Sequence, residues 1–323
     1  MSLYFFINHV RPSKIHVLYG LAVALLLLPL TGCEASEIAK PVNAPETGFV
    51  VTAILESKEL DEVSGIQSGA GGRFFLHNDE GSPSIYVADR DGRHLGKLRI
   101  RDAKNRDWED ITRIPGDDGP LLVLGDTGDN KARYKSIRLY FIAEPQPSAN
   151  GAYAEKVDLL HKLILRYPDG PRDCEAMAYD PASNMILLMS KRDHPPRLYG
   201  LPLAEALQAD RAELQYLGDV PGFRPPTAAD ILTSKKRGQW ISQPTGMDIS
   251  SDGRRAAVIT YRSLYLFERA EGESWAEAFL KEPLEIIGPP GLHDEAVTFG
   301  FETLDVFVST ERRPTPVYKL LLP

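Results

Sequence analysis

The chain has 323 residues, of which 43% are hydrophobic and 25% charged, and its formal net charge is −8 at pH 7. A chain this acidic is repelled by phosphate backbones, which excludes nonspecific nucleic-acid binding and predicts no nucleic-acid partner. The 26 glycines and 25 prolines, with no long helical pattern, favour an all-β chain rich in turns.

The N-terminal segment has the pattern of an export signal. The first sixteen residues are basic and contain no Asp or Glu, and residues 17–30 form one apolar run. That run is shorter than the roughly 20 residues that a membrane-spanning helix needs. It leads into LTGC at 30–33, an apolar residue and two small residues before a cysteine, which is the lipobox pattern. The sequence therefore predicts a lipoprotein signal peptide over 1–32 and a lipid, with palmitate, on Cys33; an uncleaved membrane anchor is the alternative.

The predicted cleavage places the mature chain in the cell envelope. It removes two basic residues and no acidic ones, so the net charge falls from −8 to −10. Glu34, where an Asp would favour inner-membrane retention, predicts a lipid anchor in the outer membrane facing the periplasm of a Gram-negative cell. Residues 33–47 predict a flexible tether, followed by one monomeric domain over 48–323. With Cys33 lipidated only Cys174 remains, so no intramolecular disulfide is expected and an apolar core must supply the stability.

An internal repeat organises the rest of the chain. Five segments each begin with a polar, a small and an apolar residue, followed by a turn, a strongly apolar strand, a polar break and a third strand. Their openings are spaced 45, 66, 70 and 50 residues apart and lie at Ser64, Glu109, Glu175, Thr245 and Glu295. Such units predict a β-propeller with five blades. Six blades stay open because residues 223–244 fit no blade, and a two-sheet sandwich is the other alternative.

The outer strands predict how the ring closes. The segments HLGKLRI, HKLILRYP and ELQYLGDV follow the first three blades as fourth strands, whereas the last blade has no residues left for one. The strand FVVTAIL at 49–55 is otherwise unassigned. We expect it to complete the last blade, because pairing the two ends of the chain removes an exposed sheet edge.

Propeller geometry predicts a cluster of carboxylates at one mouth of the central channel. The start of strand one and the end of strand two lie on the same face of a blade, so three glutamates occupy equivalent positions around the axis. Such crowding raises carboxyl pKa values, and a divalent cation such as Ca²⁺ would relieve it. The segment GDTGDN at 125–130 adds two more acids. The predicted Ca²⁺ ligands are Glu109, Asp126, Asp129, Glu175 and Glu295.

Basic residues at the strand ends of the same face are suited to hold an anion beside the metal. The predicted ligand-binding residues are Asp79, Glu80, Glu109, Glu175, Lys191, Arg192, Arg262 and Glu295. The structural alternative is that these acids cap turns or pair with nearby Lys and Arg side chains. No catalytic residue is assigned, because the sequence contains no Gly-x-Ser-x-Gly elbow and no zinc-type histidine spacing.

Several short runs carry a resemblance that extends from about residue 60 to 310. They resemble a family of exported bacterial propeller proteins of undefined role, and they lie at 77–79 (HND), 107–111 (DWEDI), 125–130 (GDTGDN), 167–170 (YPDG), 173–176 (DCEA), 245–250 (TGMDIS) and 252–253 (DG). The chain is more distantly similar to the esterase-like-activity-of-phytase and SdiA-regulated propeller groups. The resemblance implies an acidic, calcium-binding channel mouth. The Lys, Arg and Tyr residues that a phytase-like phosphate site needs are few here.

Three functions are compatible with these features. The first is an envelope lipoprotein that binds a small anionic ligand or an envelope protein at the acidic mouth without catalysis. The second is a Ca²⁺-dependent phosphoric ester hydrolase. The third is a scaffold within an envelope assembly. The first is favoured, because the repeat scaffold carries no recognisable set of nucleophile and base.

Overall fold

The computed structural model describes residues 48–233, 238–291, 293–301 and 303–321. Cys33, the predicted signal peptide and the whole predicted tether lie outside the described residues and stay predictions. Strands form 46% of the structure and helices 7%, arranged as a five-bladed β-propeller, so the predicted all-β class and blade number are confirmed.

The first two blades are antiparallel sheets with one added parallel strand each. Strand β1 (Phe49–Ile54) begins the described chain. Blade 1 follows with β2 (Val63–Gly69), β3 (Arg73–Asn78), β4 (Ser84–Asp89) and β5 (His94–Ile100). Blade 2 contains β6 (Asp110–Ile114), β7 (Leu121–Asp126) and β8 (Ile137–Ala143). Strand β9 (Lys156–Val157) then pairs with β5, and β10 (His161–Arg166) completes blade 2.

The other blades follow the same order. Blade 3 begins with β11 (Cys174–Asp180), β12 (Met185–Ser190) and β13 (Arg197–Pro202). Helix α1 (Leu203–Gln208) follows, and then β14 (Arg211–Glu213), which pairs with β10 as the added parallel strand of blade 2. The fourth strand of blade 3 is β15 (Gln215–Asp219). An insertion with α2 (Ala228–Thr233) and a 3₁₀ turn (Gly238–Trp240) precedes blade 4. Blade 4 contains β16 (Pro244–Ile249), β17 (Arg255–Thr260), β18 (Ser263–Glu268), α3 (Trp275–Ala278) and β19 (Leu284–Ile287). Blade 5 contains β20 (Asp294–Phe299), β21 (Val306–Thr310) and β22 (Pro316–Leu320).

Strand β1 closes the ring as predicted. It pairs antiparallel with β22, so that Phe49 lies opposite Leu320 and Ile54 opposite Pro316. The first described strand therefore forms the outer edge of the last blade. The three fourth strands predicted for blades 1 to 3 are also found, as β5, β10 and β15.

The apolar core lies in the layers between neighbouring blades. Because side chains alternate across a strand, each blade sends one apolar row to each neighbour. Met189 and Val258 pack between blades 3 and 4, and Ile259 and Val308 pack between blades 4 and 5. Each of these four side chains is fully buried. This packing explains why a chain without a disulfide can hold five separate sheets together.

Asp110 ties three blades together at the axis. Its Oδ2 accepts hydrogen bonds from the backbone N–H of Met177 in blade 3 at 2.8 Å and of Met247 in blade 4 at 3.0 Å. Its Oδ1 accepts from the N–H of Ile111 at 2.8 Å. Asp248 makes the equivalent bond to the N–H of Phe299 in blade 5, at 2.8 Å. These two acids therefore serve the fold.

We expect Asp110→Ala to lower the free energy of unfolding by about 3 kcal/mol or more. The substitution leaves three buried backbone N–H groups without this partner, and each unsatisfied buried group costs about 1–3 kcal/mol. Chemical denaturation measures the effect. Asp118→Ala, in an exposed turn, is the control. If both variants lost the same free energy of unfolding, the hydrogen bonds from Asp110 to the neighbouring blades would not stabilise the fold as we infer.

Candidate functional site

A cavity of about 420 Å³ opens at one mouth of the central channel. All five blades and the insertion before blade 4 contribute to it. Its walls are Ser64, Asp79, Asp107, Glu109, Asn130, Glu175, Arg192, Trp240, Tyr261, Glu295 and Glu311. Residues from strand-one starts and strand-two ends therefore meet on one face, as the propeller geometry predicts. A cavity of about 560 Å³ lies away from the axis near Arg269, but the guanidinium there is already paired with buried Asp180 at 2.8 Å.

Three buried carboxylates converge at this mouth. One oxygen from each of Glu109, Asp173 and Glu175 lies within 4.8 Å of the others. The three residues are only 5%, 3% and 5% exposed, respectively. This acid triad, as we call these three residues, could hold a metal ion. Two of its members were predicted as metal ligands from the sequence, and Asp173 was not.

A repeated motif explains how the acid triad is assembled. Blade 2 opens with Asp107-Trp108-Glu109 and blade 3 with Asp173-Cys174-Glu175, so each contributes Asp-x-Glu at its first strand. Alternate residues of an extended chain point to the same side, which brings the acids of each motif together. Comparing the two openings would have identified Asp173 from the sequence alone.

Two basic side chains partly neutralise the acids. The Lys191 ammonium pairs with Glu175 and donates a hydrogen bond to Tyr261 Oη at 2.9 Å. Arg192 Nε lies 2.6 Å from Asp173 Oδ2. Asp107 lies beside the triad as a fourth carboxyl group. When all are ionised, these four acids carry two more charges than the two cations neutralise. Glu295 adds a further carboxyl close to Lys191.

The carboxyl groups of the cavity have raised pKa values. Burial raises the pKa of Glu175 to about 7, although Lys191 opposes the shift. Burial, reinforced by neighbouring carboxylates, raises the pKa of Asp107 to about 6 and that of Asp79 to about 7. The pKa values of Glu109 and Glu295 are raised well above the usual range, first by burial and then by the charge of Glu175. A bound cation would favour the ionised forms of the same groups.

Gly128 lets the backbone of the loop after β7 approach the acids closely. A Cβ atom at this position would overlap the Oε1 atom of Glu109 and the carboxyl group of Asp107. The N–H of Gly128 donates to the carbonyl oxygen of Asp107 at 3.1 Å. A larger residue here would displace the carboxyl groups of Glu109 and Asp107 from their positions in the cavity.

Asp126 and Asp129 are buried in that loop, and their carboxylates already have protein partners. Asp126 Oδ2 accepts from Arg138 at 2.8 Å, and its Oδ1 accepts from the N–H of Asp107 at 3.1 Å. Asp129 Oδ2 accepts from the N–H of Tyr134 at 2.6 Å, and its own N–H donates to Asp173 Oδ1 at 2.8 Å. Both residues position acids of the cavity and line none of it, so we leave them out of the candidate metal site.

Five of the predicted ligand-binding residues line the cavity: Asp79, Glu109, Glu175, Arg192 and Glu295. Lys191 is buried beside them. Glu80 is exposed and lies in a neighbouring depression of the rim. Arg262 lies outside the cavity, because it pairs with Asp230 of α2 at 2.7 Å and donates to Ser242 Oγ at 2.8 Å.

The insertion that Arg262 holds supplies an aromatic wall. Trp240 lines the cavity, with the Arg192 guanidinium 4.8 Å from the centre of its ring and His194 stacked against it at 5.9 Å. The sequence prediction missed Trp240. The only signal was that it lies in a stretch, 223–244, that fits no blade.

Two residues near the site serve packing. Cys174 is fully buried, its Sγ donates to the carbonyl oxygen of Met189 at 3.2 Å, and burial raises the pKa of its thiol to about 12. His77 is buried edge-on against Trp108, with ring centres 5.6 Å apart, and burial lowers its pKa to about 4. Neither side chain lines the cavity.

Comparisons with known proteins identify no family for this chain. No protein-family model matches the chain, and no curated protein matches it. Among solved structures it is similar to a chain of the crystal structure of the nidogen/laminin complex, with 10% identity and a TM-score of 0.39. That match covers 77% of this chain and 72% of the other. Within the described ranges, no helix has the length and apolar character needed to cross a membrane.

Proposed function

We propose that the protein is a lipid-anchored envelope protein whose propeller binds a small anionic ligand, without catalysis, through a Ca²⁺ ion held at the acidic mouth. The observation that carries the proposal is the convergence of the acid triad on a cavity of about 420 Å³. The lipid anchor rests on the lipobox at 30–33.

The spacing of the acid triad suits Ca²⁺. Oxygens on opposite sides of a Ca²⁺ ion lie roughly 4.6–5.2 Å apart, since each Ca–O distance is about 2.3–2.6 Å. The triad oxygens lie within 4.8 Å of one another, so a single Ca²⁺ ion can reach one oxygen of each residue. The excess of negative over positive charge around the triad also favours a bound cation.

The ligand would complete the coordination of the ion. Ca²⁺ takes about 6–8 oxygen ligands, more than three carboxylates supply unless several bind through both oxygens. The open side of the cavity leaves room for a ligand oxygen, such as that of a carboxylate. Trp240 offers a flat apolar surface beside that position, and Arg192 lies over its ring. These neighbours favour an anion that carries an apolar or ring portion.

Hydrolysis of phosphate esters is less well supported than binding. Among the residues that line the cavity, Arg192 is the one basic side chain, and it is paired with Asp173. A transferring phosphoryl group needs several cations around its oxygens. Turnover on a panel of phosphate esters that Glu175→Gln abolishes would overturn the noncatalytic proposal.

We expect the protein to bind one Ca²⁺ per chain and Glu109→Gln or Glu175→Gln to weaken binding at least tenfold. Each substitution replaces a charged ligand with a neutral amide of the same shape. Isothermal titration calorimetry at pH 8 on protein freed of metal by chelation measures the affinity. Gly128→Ala should weaken binding as well, because the added Cβ displaces Glu109 and Asp107.

Glu80→Gln is the matched control, since it makes the same chemical change on the same face but outside the cavity. It should leave the affinity within about twofold. Absence of Ca²⁺ binding by the native protein, or equal weakening by Glu80→Gln and Glu175→Gln, would refute the metal site. Mass spectrometry of the mature protein tests the diacylglyceryl group on Cys33 independently.

A further inference from the structure

An exposed apolar patch lies on the outer rim between blades 4 and 5. Val51 and Ile54 of β1 are 52% and 45% exposed, and Leu284 of β19 is 59% exposed. Ile286, also on β19, is partly buried against the core between these two blades. We call these four side chains the rim patch.

The strand registers place the rim patch on one seam of the ring. Val51 pairs with Tyr318, and Leu284 pairs with Leu266. Paired residues of neighbouring strands point to the same face of a sheet. Tyr318 and Leu266 both belong to the core between blades 4 and 5, so Val51 and Leu284 face the same seam from its two sides.

The rim patch is formed by two edge strands. Among the described strands, β1 pairs with β22 alone, and β19 pairs with β18 alone. An exposed, apolar edge strand favours association with other chains unless something covers it. Within the described part of the chain, no further strand pairs with the outer edges of β1 and β19.

The position of the chain terminus indicates what covers the patch. The described chain begins at Gly48, directly before β1, and the N–H of Leu321 donates to its carbonyl oxygen at 2.7 Å. Only residues 34–47 separate Gly48 from Cys33. A lipid on Cys33 would therefore connect the bilayer to the propeller at the edge of the ring that β1 forms, through residues 34–47.

We infer that the rim patch rests on the lipid bilayer, so that the propeller stands on its edge with the acidic mouth opening sideways. The inference rests on the proposed lipid anchor at Cys33. Tethering makes weak apolar contacts effective, because the local concentration of bilayer around the patch is high. The rim patch consists of aliphatic side chains, which can enter the boundary between the headgroups and the acyl chains of a membrane.

Site-directed spin labelling of the full-length lipidated protein tests this orientation. Labels are introduced with Val51→Cys or Leu284→Cys, and Leu160→Cys is the control, being 58% exposed on blade 2, opposite the seam. Labelling is selective because Cys33 carries the lipid and Cys174 is fully buried. The protein is placed in phosphatidylethanolamine and phosphatidylglycerol vesicles, and collisions with oxygen and with a water-soluble nickel chelate are measured.

We expect the labels at 51 and 284 to collide several-fold less with nickel and more with oxygen in vesicles, whereas the label at 160 stays exposed to water. Water exposure at all three positions would overturn the inference. The same shielding in a Cys33→Ser protein without vesicles would also overturn it, since the chain itself would then cover the patch. A mature protein without lipid on Cys33 would overturn both the anchor and the orientation, and mass spectrometry separates that result from the others.

Discussion

Lys191→Met should lower the free energy of unfolding of the metal-free protein by about 3–5 kcal/mol at pH 8, the usual cost of leaving a buried charge without its partner. The Lys191 side chain is only 2% exposed and pairs with Glu175. Its positive charge also faces Glu295 and Glu109. Methionine fills a similar volume but leaves these carboxyl groups uncompensated. Urea denaturation in the presence of a chelator measures the loss.

Two comparison variants make this result specific. Lys281→Met removes a lysine that is 49% exposed and paired with Glu273, and such surface pairs contribute about 0–1 kcal/mol. The double variant Lys191→Met with Glu175→Gln should be more stable than Lys191→Met alone, because the most strongly paired acid is neutral there. If Lys191→Met were as stable as the native protein, or if the double variant were no better, Lys191 would not be the charge that holds this cluster.

The fold could be predicted because its signal is repeated. The polar-small-apolar opening recurs five times. The innermost strand of each blade lines the central channel, so the opening occurs at the same place in every blade. The strand at 49–55 was assignable because the last blade had no residues left for an outer strand. The insertion at 223–244 occurs once, so no comparison within the chain could reveal its structure or place Trp240 at the cavity.

The site was predicted in part for the same reason. Glu109, Glu175 and Glu295 occupy equivalent blade positions, and all three line the cavity. Asp126 and Asp129 were chosen by composition, and composition does not tell which carboxylate has an arginine or a backbone amide beside it. Arg262 stands at a strand end, but its direction depends on Asp230, which belongs to the unpredicted insertion.

The thermal stability of the metal-free protein should fall as the pH rises from 6.5 to 8.5. Folding raises the pKa of Glu175 and of Asp79 to about 7, and burial raises those of Glu109 and Glu295 well above their usual range. In this pH range the unfolded chain has released protons that the folded protein still holds, so raising the pH favours unfolding. The loss approaches about 1.4 kcal/mol per pH unit for each such group that stays protonated in the folded state.

The pH range is chosen so that neither His77 nor the acids with arginine partners change their protonation on unfolding. His77, whose pKa is lowered to about 4 in the folded protein, changes stability with pH only below about 6.5. Acids whose pKa is lowered by arginine partners, such as Asp180, are ionised in both states throughout the range. Burial also raises the pKa values of Asp110 and Asp294 well above the usual range, and neither residue lines the cavity. The part of the slope that is lost in the double variant Glu109→Gln with Glu175→Gln therefore reports on the channel mouth.

Saturating Ca²⁺ should remove or reverse this slope. Metal ligation requires deprotonated carboxylates, so Ca²⁺ binds more tightly as the pH rises. At about one hundred times its dissociation constant the ion adds roughly 2.7 kcal/mol of stability. Differential scanning calorimetry with chelator and with Ca²⁺, on the native protein and on Glu109→Gln with Glu175→Gln, measures both effects. The double variant should show a shallower slope and no response to Ca²⁺. Parallel slopes with and without Ca²⁺ in the native protein would mean that the acids at the mouth are neutralised by protons alone, and the role of the acid triad in holding a cation would be refuted.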